Sequence, residues 1–276
     1  MSQFKFDGAP DNEAFQEPES EACGSPRATK PGPSSLQGNR LKTVGIIQPN
    51  YIPWRGYFDF IQEVDVFVFL DDVQFTRRDW RTRNRIKLPD GQSRWLTVPV
   101  QGGRDQAICD VKIDNSQKWA SKHWGALRHS YGKTPHFDRY RDTLEGLYSP
   151  GRFEYLVDLN VALTRLICEW LGLSTSFVHS SSLEVDGEKD ELLLNIVRKL
   201  DADAYLSGPA AQNYIRPSLW AEAGVDLRYK DYSGYPEYPQ ISEPFEPAVT
   251  VLDLLFMVGD DAPDYIWGDR RERPPT

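Results

Sequence analysis

The fold of this chain is constrained most by two short apolar segments. Each segment ends in polar residues, and the sequence between them is long enough for one short helix. Residues 43–47 run directly into Gln48, and residues 66–70 run directly into Asp71. The second segment is continuously apolar, which is typical of a strand buried in a parallel sheet. The pair therefore predicts a β-α-β unit that presents polar side chains at the carboxyl ends of its strands.

The rest of the chain predicts an α/β fold with a mainly parallel sheet flanked by helices. The turn signal Pro89-Asp90-Gly91 predicts an inserted β-hairpin between residues 81–88 and 93–100. Thr250 and Asp253 fit a capping box at a helix start, and Gly259 fits the end of that helix. Periodicity predicts helices at 56–63, 115–131, 153–171, 189–200 and 250–258, and short apolar runs predict strands at 176–179, 204–207 and 225–229.

Composition divides the chain into one folded region and two tails. Residues 1–40 are rich in Pro, Gly, Ser, Glu and Asn and have few aliphatic residues, which predicts a disordered N-terminal tail. Residues 269–276 have the composition of a frayed C-terminus. A single α/β domain is therefore expected over residues 41–268, with the inserted hairpin and a helical region inside it.

Charge and cysteine content narrow the class of protein. The formal net charge of −9 disfavours a general nucleic-acid binder, since phosphate binding requires a basic surface. Three scattered cysteines fit neither a disulfide framework nor a zinc site, which favours reduced thiols and a cytoplasmic location. The chain has no apolar run of about 18 residues and no signal-peptide pattern, so we expect no membrane insertion.

Polar residues that follow the two first strands are candidate site residues. Gln48 and Asn50 are placed to reach a ligand in the crevice, or else to satisfy backbone groups of their own loop. Asp71, Asp72 and Gln74 follow the second strand in the same way. A carboxylate there can orient an amine, take a proton or hold Mg²⁺. The alternative is a helix cap or an ion-pair partner for the nearby arginines.

A row of cations marks the first strand of the predicted hairpin. Arg81, Arg83, Arg85 and Lys87 alternate with other residues, and period 2 places all four on one face of a strand. Such a face binds phosphate or carboxylate, with arginine able to do so through two hydrogen bonds. The equally supported alternative is a solvated edge strand whose charges prevent aggregation.

Two further candidate site regions follow from the residues alone: His123 and the segment that begins at Ser207. His123 lies on a predicted helix and is either a general base facing the crevice or a half-buried packing residue. Ser207, with Asn213 and Tyr214 close behind, forms another polar strand end that can bind a carboxylate or phosphate. None of the four histidines pairs at a metal-ligand spacing, and no redox-cofactor motif is present, so neither a metal nor a redox cofactor is expected.

Taken together, these motifs resemble the WbqC-like protein family over about residues 43–266. The resemblance rests on long, specific segments of the sequence. They are Gln48-Pro-x-Tyr51-x-Pro-Trp54-x-Gly-Tyr57-Phe, Asp-x-Val-Gln-Phe75, Trp80, Asn84-Arg85, Leu96-Thr-Val-Pro99, Lys122-His123, Tyr131-Gly-Lys133, Tyr205-Leu-Ser-Gly208, Asn213-Tyr214 and Leu252-Asp253-Leu-Leu-Phe256.

The resemblance implies a biosynthetic transferase. Members of the family occur in bacterial polysaccharide pathways, including O-antigen synthesis, and in natural-product pathways. The implied reaction passes an acyl or aminoacyl group, such as glycyl, to a small-molecule amine and forms an amide or an ester. One donor that fits this reaction is a thioester on the phosphopantetheine of an acyl or peptidyl carrier protein. The expected catalytic residues are His123, Asp71 and Gln48, and the expected substrate-binding residues are Asn50, Tyr51, Trp54, Tyr57, Asp72, Gln74, Arg83, Asn84, Arg85, Lys122, Ser207, Asn213 and Tyr214.

A second resemblance concerns the fold. The order of strand, Pro-rich turn, helix, Asp65 and strand is similar to the start of the nucleotidylyltransferase superfamily, which implies a Rossmann-like fold. Trp54 and Tyr57 stand where that superfamily has the histidines of its H-x-G-H motif, so nucleotidyl transfer is disfavoured. Two alternatives stay open: a nucleotide-dependent enzyme with Arg85 and Lys87 on the triphosphate, and a non-catalytic binding protein of the pathway.

Overall fold

The structure, a computed structural model, describes residues 41–103 and 105–268. The predicted tails, 1–40 and 269–276, lie outside these residues. Five strands form one sheet in the order β5-β2-β1-β6-β7, and every neighbouring pair is parallel. Their bounds are β1 (Thr43–Ile47), β2 (Val66–Phe69), β5 (Ser176–His179), β6 (Ala204–Ser207) and β7 (Asp226–Tyr229). The predicted α/β, Rossmann-like fold is confirmed.

The strand order gives the sheet a reversal point at β1. The chain runs from β1 outward to β2 and later to β5, and then returns to β6 on the other side of β1. In open parallel sheets, ligands bind at the carboxyl ends of the strands where the order reverses. A ligand site is therefore expected at the carboxyl ends of β1 and β6.

Seven helices of the described chain surround the sheet and the hairpin. They are α1 (Arg55–Gln62), α2 (Trp119–Tyr131), α3 (Phe137–Leu147), α4 (Leu156–Trp170), α5 (Asp190–Lys199), α6 (Pro217–Glu222) and α7 (Val251–Val258). The sequence patterns had not predicted α3 or α6. Helix α2 begins at Trp119 rather than at 115, because residues 115–117 form a turn in which the Ser116 and Gln117 side chains donate to Asp114. None of the helices in the described part of the chain has the length and apolarity needed to cross a bilayer.

Apolar side chains cover both faces of the sheet. Phe67 and Phe69 point into the larger core, which α1 and α4 complete. Val44 and Ile46 point into a smaller core on the opposite face, which includes residues of α5 and α6. A Cβ at Gly45 would overlap the ring of Phe60, so only glycine lets α1 pack this closely on β1. The sheet is thus a rigid platform buried on both sides, as expected for parallel strands.

The hairpin is a separate two-stranded sheet. Its strands are β3 (Arg83–Lys87) and β4 (Ser93–Thr97), which pair antiparallel around a turn with Gly91 at φ +87°. Asn84 Nδ2 donates to the Ile52 carbonyl at 2.8 Å, and the Tyr51 amide donates to the Trp80 carbonyl at 2.9 Å. These bonds fasten the hairpin to the loop that follows β1.

The start of α7 corrects part of the predicted capping box. The Thr250 side chain accepts a hydrogen bond from the Leu252 amide, so Thr250 is the N-cap, and Gly259 ends the helix at φ +61°. Asp253 does not reach back to the cap. Its fully buried carboxylate instead accepts hydrogen bonds of 2.8 Å from the Tyr238 hydroxyl and from Gln240 Nε2. Thr250 and the Pro53 carbonyl, which accepts from the Val251 amide, satisfy the helix start, while Asp253 fastens the irregular segment 232–247.

Candidate functional site at the carboxyl edge of the sheet

Four strands end in polar residues along one edge of the sheet. Gln48 follows β1, Asp71 follows β2, and β5 and β6 end in His179 and Ser207. The strand register aligns Ile47 with Phe69 and Phe69 with His179. Neighbouring strands lie about 4.8 Å apart, so His179 is roughly 10 Å across the sheet from the end of β1. The edge therefore gathers polar groups from segments that are far apart in the sequence.

A carboxylate and a histidine are paired at this edge. Asp71 Oδ2 lies 2.7 Å from His179 Nδ1, and Asp71 Oδ1 accepts a hydrogen bond from the Ser181 amide at 3.0 Å. Burial alone would raise the pKa of the Asp71 carboxyl, but the hydrogen bonds from His179 and Ser181 outweigh it and hold the pKa below its ordinary value. Asp71 is therefore an ionised hydrogen-bond acceptor at neutral pH.

The pairing fixes the chemistry of His179. An ionised carboxylate only accepts hydrogen bonds, so the neutral ring must carry its proton on Nδ1, which leaves Nε2 as the basic nitrogen. The His179 side chain is 32% exposed, whereas that of Asp71 is 2% exposed. Nε2 makes no hydrogen bond to any residue that the structure describes. A buried carboxylate that orients a partly exposed imidazole is the arrangement of a general base.

Ser180 ties this pair to the neighbouring carboxylate. Its buried hydroxyl accepts a hydrogen bond of 3.0 Å from the Asp71 amide and donates one of 2.5 Å to Asp72 Oδ1. The ends of β2 and β5 are thereby held together by side chains as well as by the sheet. Such bonds hold the orienting carboxylate in one position, which a general base requires.

A pocket opens between the ends of β1 and β6, and its wall includes Leu70 and Val73, the residues on either side of Asp71 and Asp72 in the sequence. It encloses about 530 Å³ of open space, counting the solvent at its mouth. Aliphatic side chains of β1, α5 and the segment after β2 form most of its wall. The polar side chains in the wall are Gln48, Lys189, Tyr205, Ser207 and Tyr214. Its position at the reversal point of the sheet is the one expected for a ligand site.

Gln48 gives this pocket an unsatisfied polar group. The residue is 5% exposed, and its Oε1 atom is buried without a hydrogen-bond donor among the described residues. Buried acceptors in proteins are nearly always paired, so this atom calls for a donor from outside the chain. Lys189 supplies a positive charge to the same wall. The pocket therefore suits an apolar molecule that carries an N–H or O–H donor and an anionic group.

His123 does not line this pocket and is buried on α2, against the loop that follows β1. His123 is 6% exposed, and its Nδ1 lies 2.8 Å from the Tyr51 hydroxyl, which in turn lies 2.7 Å from the Tyr148 hydroxyl. Burial lowers the pKa of His123 to about 4, and a hydrogen bond with the Thr97 backbone opposes this shift only in part. These surroundings favour the packing role over the general base.

The cationic row is divided among different environments. Arg81 precedes β3 and is buried beside Asp79, so the expectation that four cations share one strand face is wrong at this residue. Lys87 is buried and donates to the Pro244 carbonyl, so it does not belong to a solvated face. Arg85 donates to Glu246 at 3.3 Å. Arg83 stays free of any carboxylate partner among the described residues.

Three expected binding residues make intramolecular contacts. The Tyr57 hydroxyl donates to the Gln48 carbonyl at 3.2 Å, and the Trp54 ring packs against Tyr232 with centroids 5.3 Å apart. Asn84 accepts from the Arg85 amide at 2.7 Å while it donates to the loop after β1. These contacts give Trp54, Tyr57 and Asn84 structural roles around the loop that follows β1, and their part in binding stays a prediction.

The remaining expected residues divide between the pocket and the surface. Tyr214 and Ser207 line the pocket, as the strand-end pattern predicts. Asn50 is half-buried in the loop after β1. Four others are exposed: Asp72 and Gln74 after β2, Lys122 on α2, and Asn213 in the turn after β6.

Sequence reasoning missed His179, Ser180 and Lys189. His179 is the last residue of a strand whose bounds were predicted correctly, so it met the same strand-end criterion as Gln48 and Asp71. That criterion was applied to β1, β2 and β6 but not to β5. Among the described residues, no group of three or more His, Cys, Asp or Glu side chains is arranged to hold a metal ion.

The fold and the edge cluster define an α/β protein with a candidate ligand site at the carboxyl edge of a parallel sheet. Comparison with known sequences then identifies the group: the WbqC-like protein family matches residues 48–265, and the chain belongs to that family. A Mycobacterium tuberculosis (strain ATCC 25618 / H37Rv) protein, named Uncharacterized protein Rv1507c, is 44% identical over 228 residues, which cover 82% of this chain and 98% of that protein. No solved structure matches the chain.

Proposed function

We propose that this protein is a transferase that passes an activated acyl or aminoacyl group, such as glycyl from a carrier-protein thioester, to a small-molecule amine. The product is an amide, or an ester if the acceptor presents a hydroxyl. The observation that carries the proposal is the hydrogen bond between Asp71 and His179 at the carboxyl edge. An oriented imidazole is the group that direct attack by an amine on a thioester needs.

The reaction follows from the basic nitrogen of His179. The acceptor nitrogen attacks the thioester carbonyl, and His179 Nε2 takes the proton that the nitrogen loses. The C–N bond forms, the C–S bond breaks, and the imidazolium returns its proton to the leaving thiolate. Asp71 stays ionised throughout and stabilises the imidazolium. No change of oxidation state and no covalent enzyme intermediate is required.

The pocket supports the same reaction by binding the acceptor. The Gln48 Oε1 atom, buried without a donor, accepts a hydrogen bond from the acceptor amine. The aliphatic wall holds the body of the molecule, and Lys189 favours an acceptor that bears a carboxylate or phosphate. Binding of this kind places the nitrogen near the edge and supplies the alignment that bimolecular reactions need.

The test is amide formation by the purified full-length chain. Acetyl and glycyl thioesters of coenzyme A and of a holo carrier protein are mixed with a panel of primary amines that carry an anionic group. Amides are then detected by mass spectrometry. His179→Gln is expected to reduce the rate about 100-fold or more, whereas His129→Gln, which changes an exposed histidine on α2, serves as the matched control and leaves it unchanged. An unimpaired His179→Gln variant, or no amide from any pair with the wild type, would refute the proposal.

A further inference from the structure

One face of the hairpin carries a partly exposed cluster that the proposed reaction does not use. This cluster, the Trp95 surface, consists of Trp80, Arg83, Arg85 and Trp95. Trp95 is 42% exposed, and the Arg83 guanidinium lies 4.3 Å from the centre of its ring. The Arg85 guanidinium lies 5.6 Å from the same ring, and the Trp80 ring lies 5.5 Å from it. A large aromatic side chain is thus exposed to solvent with two guanidinium groups close to its ring.

The charge of this region opposes that of the whole chain. Residues 77–94 contain seven arginines and lysines and two aspartates, a net of +5, in a protein whose formal net charge is −9. Glu246 balances Arg85, but Arg83 has no carboxylate partner in the described chain, and its Nε is buried without an acceptor. An unbalanced guanidinium of this kind favours contact with an acidic partner.

The hairpin is also joined to the candidate site. The Trp80 carbonyl accepts from the Tyr51 amide, and the Arg81 carbonyl accepts from Asn160 Nδ2, which also donates to the Pro49 carbonyl. Pro49 and Tyr51 belong to the loop that begins at Gln48. Trp80, a member of the Trp95 surface, is therefore hydrogen-bonded directly to the loop that leads into the pocket.

We propose that the Trp95 surface docks an acidic protein, namely the carrier that delivers the acyl group as a thioester. This rests on the proposed function and names the partner of the same site. Tryptophan and arginine are the residues most enriched among those that dominate binding energy at protein interfaces. Positive charge around them accelerates association with an acidic protein and makes it dependent on salt.

The test measures the binding of an acidic holo acyl carrier protein to the full-length chain. The carrier is fluorescently labelled, and its fluorescence anisotropy reports binding. We expect Trp95→Ala and Arg83→Glu each to weaken binding about tenfold or more. Arg198→Glu, the same charge reversal at an exposed position on α5, leaves binding unchanged. Added salt weakens binding to the wild type more than binding to Arg83→Glu. Circular dichroism spectra establish that the variants are folded.

Three results would overturn the docking proposal: no binding of the carrier to the wild type, equal binding by the wild type and both variants, or displacement of the carrier by free coenzyme A. The last result would identify a small-anion site instead. Failure of the proposed function gives a different set of results from failure of the docking proposal. In that case the wild type binds the carrier and the Trp95 variant does not, but no thioester yields an amide.

Discussion

The two histidines His179 and His123 occupy opposite environments in this molecule. His179 stands at the carboxyl edge of the sheet, partly exposed and paired with a buried carboxylate. His123 lies inside the helical region among aromatic rings, hydrogen-bonded to Tyr51. The same side chain is therefore oriented for proton transfer in one place and held neutral in the other.

The two histidines differ in their hydrogen-bond partners, a carboxylate at His179 and a tyrosine hydroxyl at His123. At His123, burial without a carboxylate lowers the pKa, which keeps the ring uncharged and poorly suited to take protons near neutral pH. At His179, Asp71 supplies the negative charge that stabilises an imidazolium. Buried tyrosines provide no such charge.

The strongest test of the comparison is kinetic. Asp71→Asn and His179→Gln are each expected to reduce amide formation about 10²- to 10⁴-fold, because both remove the oriented base. The double variant should lose no more than the worse single variant, since the two residues act as one unit. Initial rates under saturating thioester measure this effect.

His123→Gln provides the contrast, with an expected change in rate of only a few fold. Thermal unfolding of all variants establishes that the lost activity does not come from lost structure. If His123→Gln abolishes amide formation while His179→Gln does not, the roles of the two histidines are reversed.

The second test uses the pH dependence of stability. The pKa of His123 is about 4 in the folded protein against 6.5 for the ordinary value. The unfolded chain therefore binds a proton first as the pH falls, and stability is lost between pH 6.5 and 4. One pKa unit corresponds to about 1.4 kcal/mol, so the loss attributable to His123 is about 3 kcal/mol.

Urea unfolding of the wild type and His123→Gln at several pH values measures this loss. The wild type should lose about 3 kcal/mol more than the variant between pH 7 and pH 4, because glutamine does not titrate. His129→Gln again serves as the control and should follow the wild type. A gap between wild type and His123→Gln that stays constant with pH would contradict the assignment of His123 as a buried neutral residue.

Much of the fold follows from local patterns in the sequence. The bounds of β1, β5 and β6 match the predicted ones because short apolar runs end there in turn or polar residues. Helix α3 was missed although Phe137, Tyr140 and Leu144 form its buried stripe, since charged residues fill the positions between them. The six-residue helix α6 is too short to show a period.

The site was predictable only in part. Strand ends identified Gln48, Asp71 and Ser207, because parallel strands bring their carboxyl ends to one edge whatever lies between them. The partner of Asp71 lies 108 residues away, and no local pattern connects the two. His123 lies between Trp119 and Trp124 in the sequence, and helical periodicity alone does not show which side of such a helix faces the core.

The prediction with the smallest expected effect concerns the hydrogen bond between Tyr51 and His123 and its contribution to stability. Tyr51→Phe removes the hydroxyl that contacts His123 Nδ1 and the Tyr148 hydroxyl, and leaves both polar groups buried with one partner fewer. We expect a loss of about 1–2 kcal/mol in the free energy of unfolding, the usual cost of an unsatisfied buried group. Tyr229→Phe, whose hydroxyl makes no hydrogen bond to the described residues, should cost much less when both are measured by urea unfolding at pH 7. Equal stabilities for the two variants would show that the Tyr51 hydroxyl does not hold His123 in place, and that apolar packing alone sets the position of this histidine.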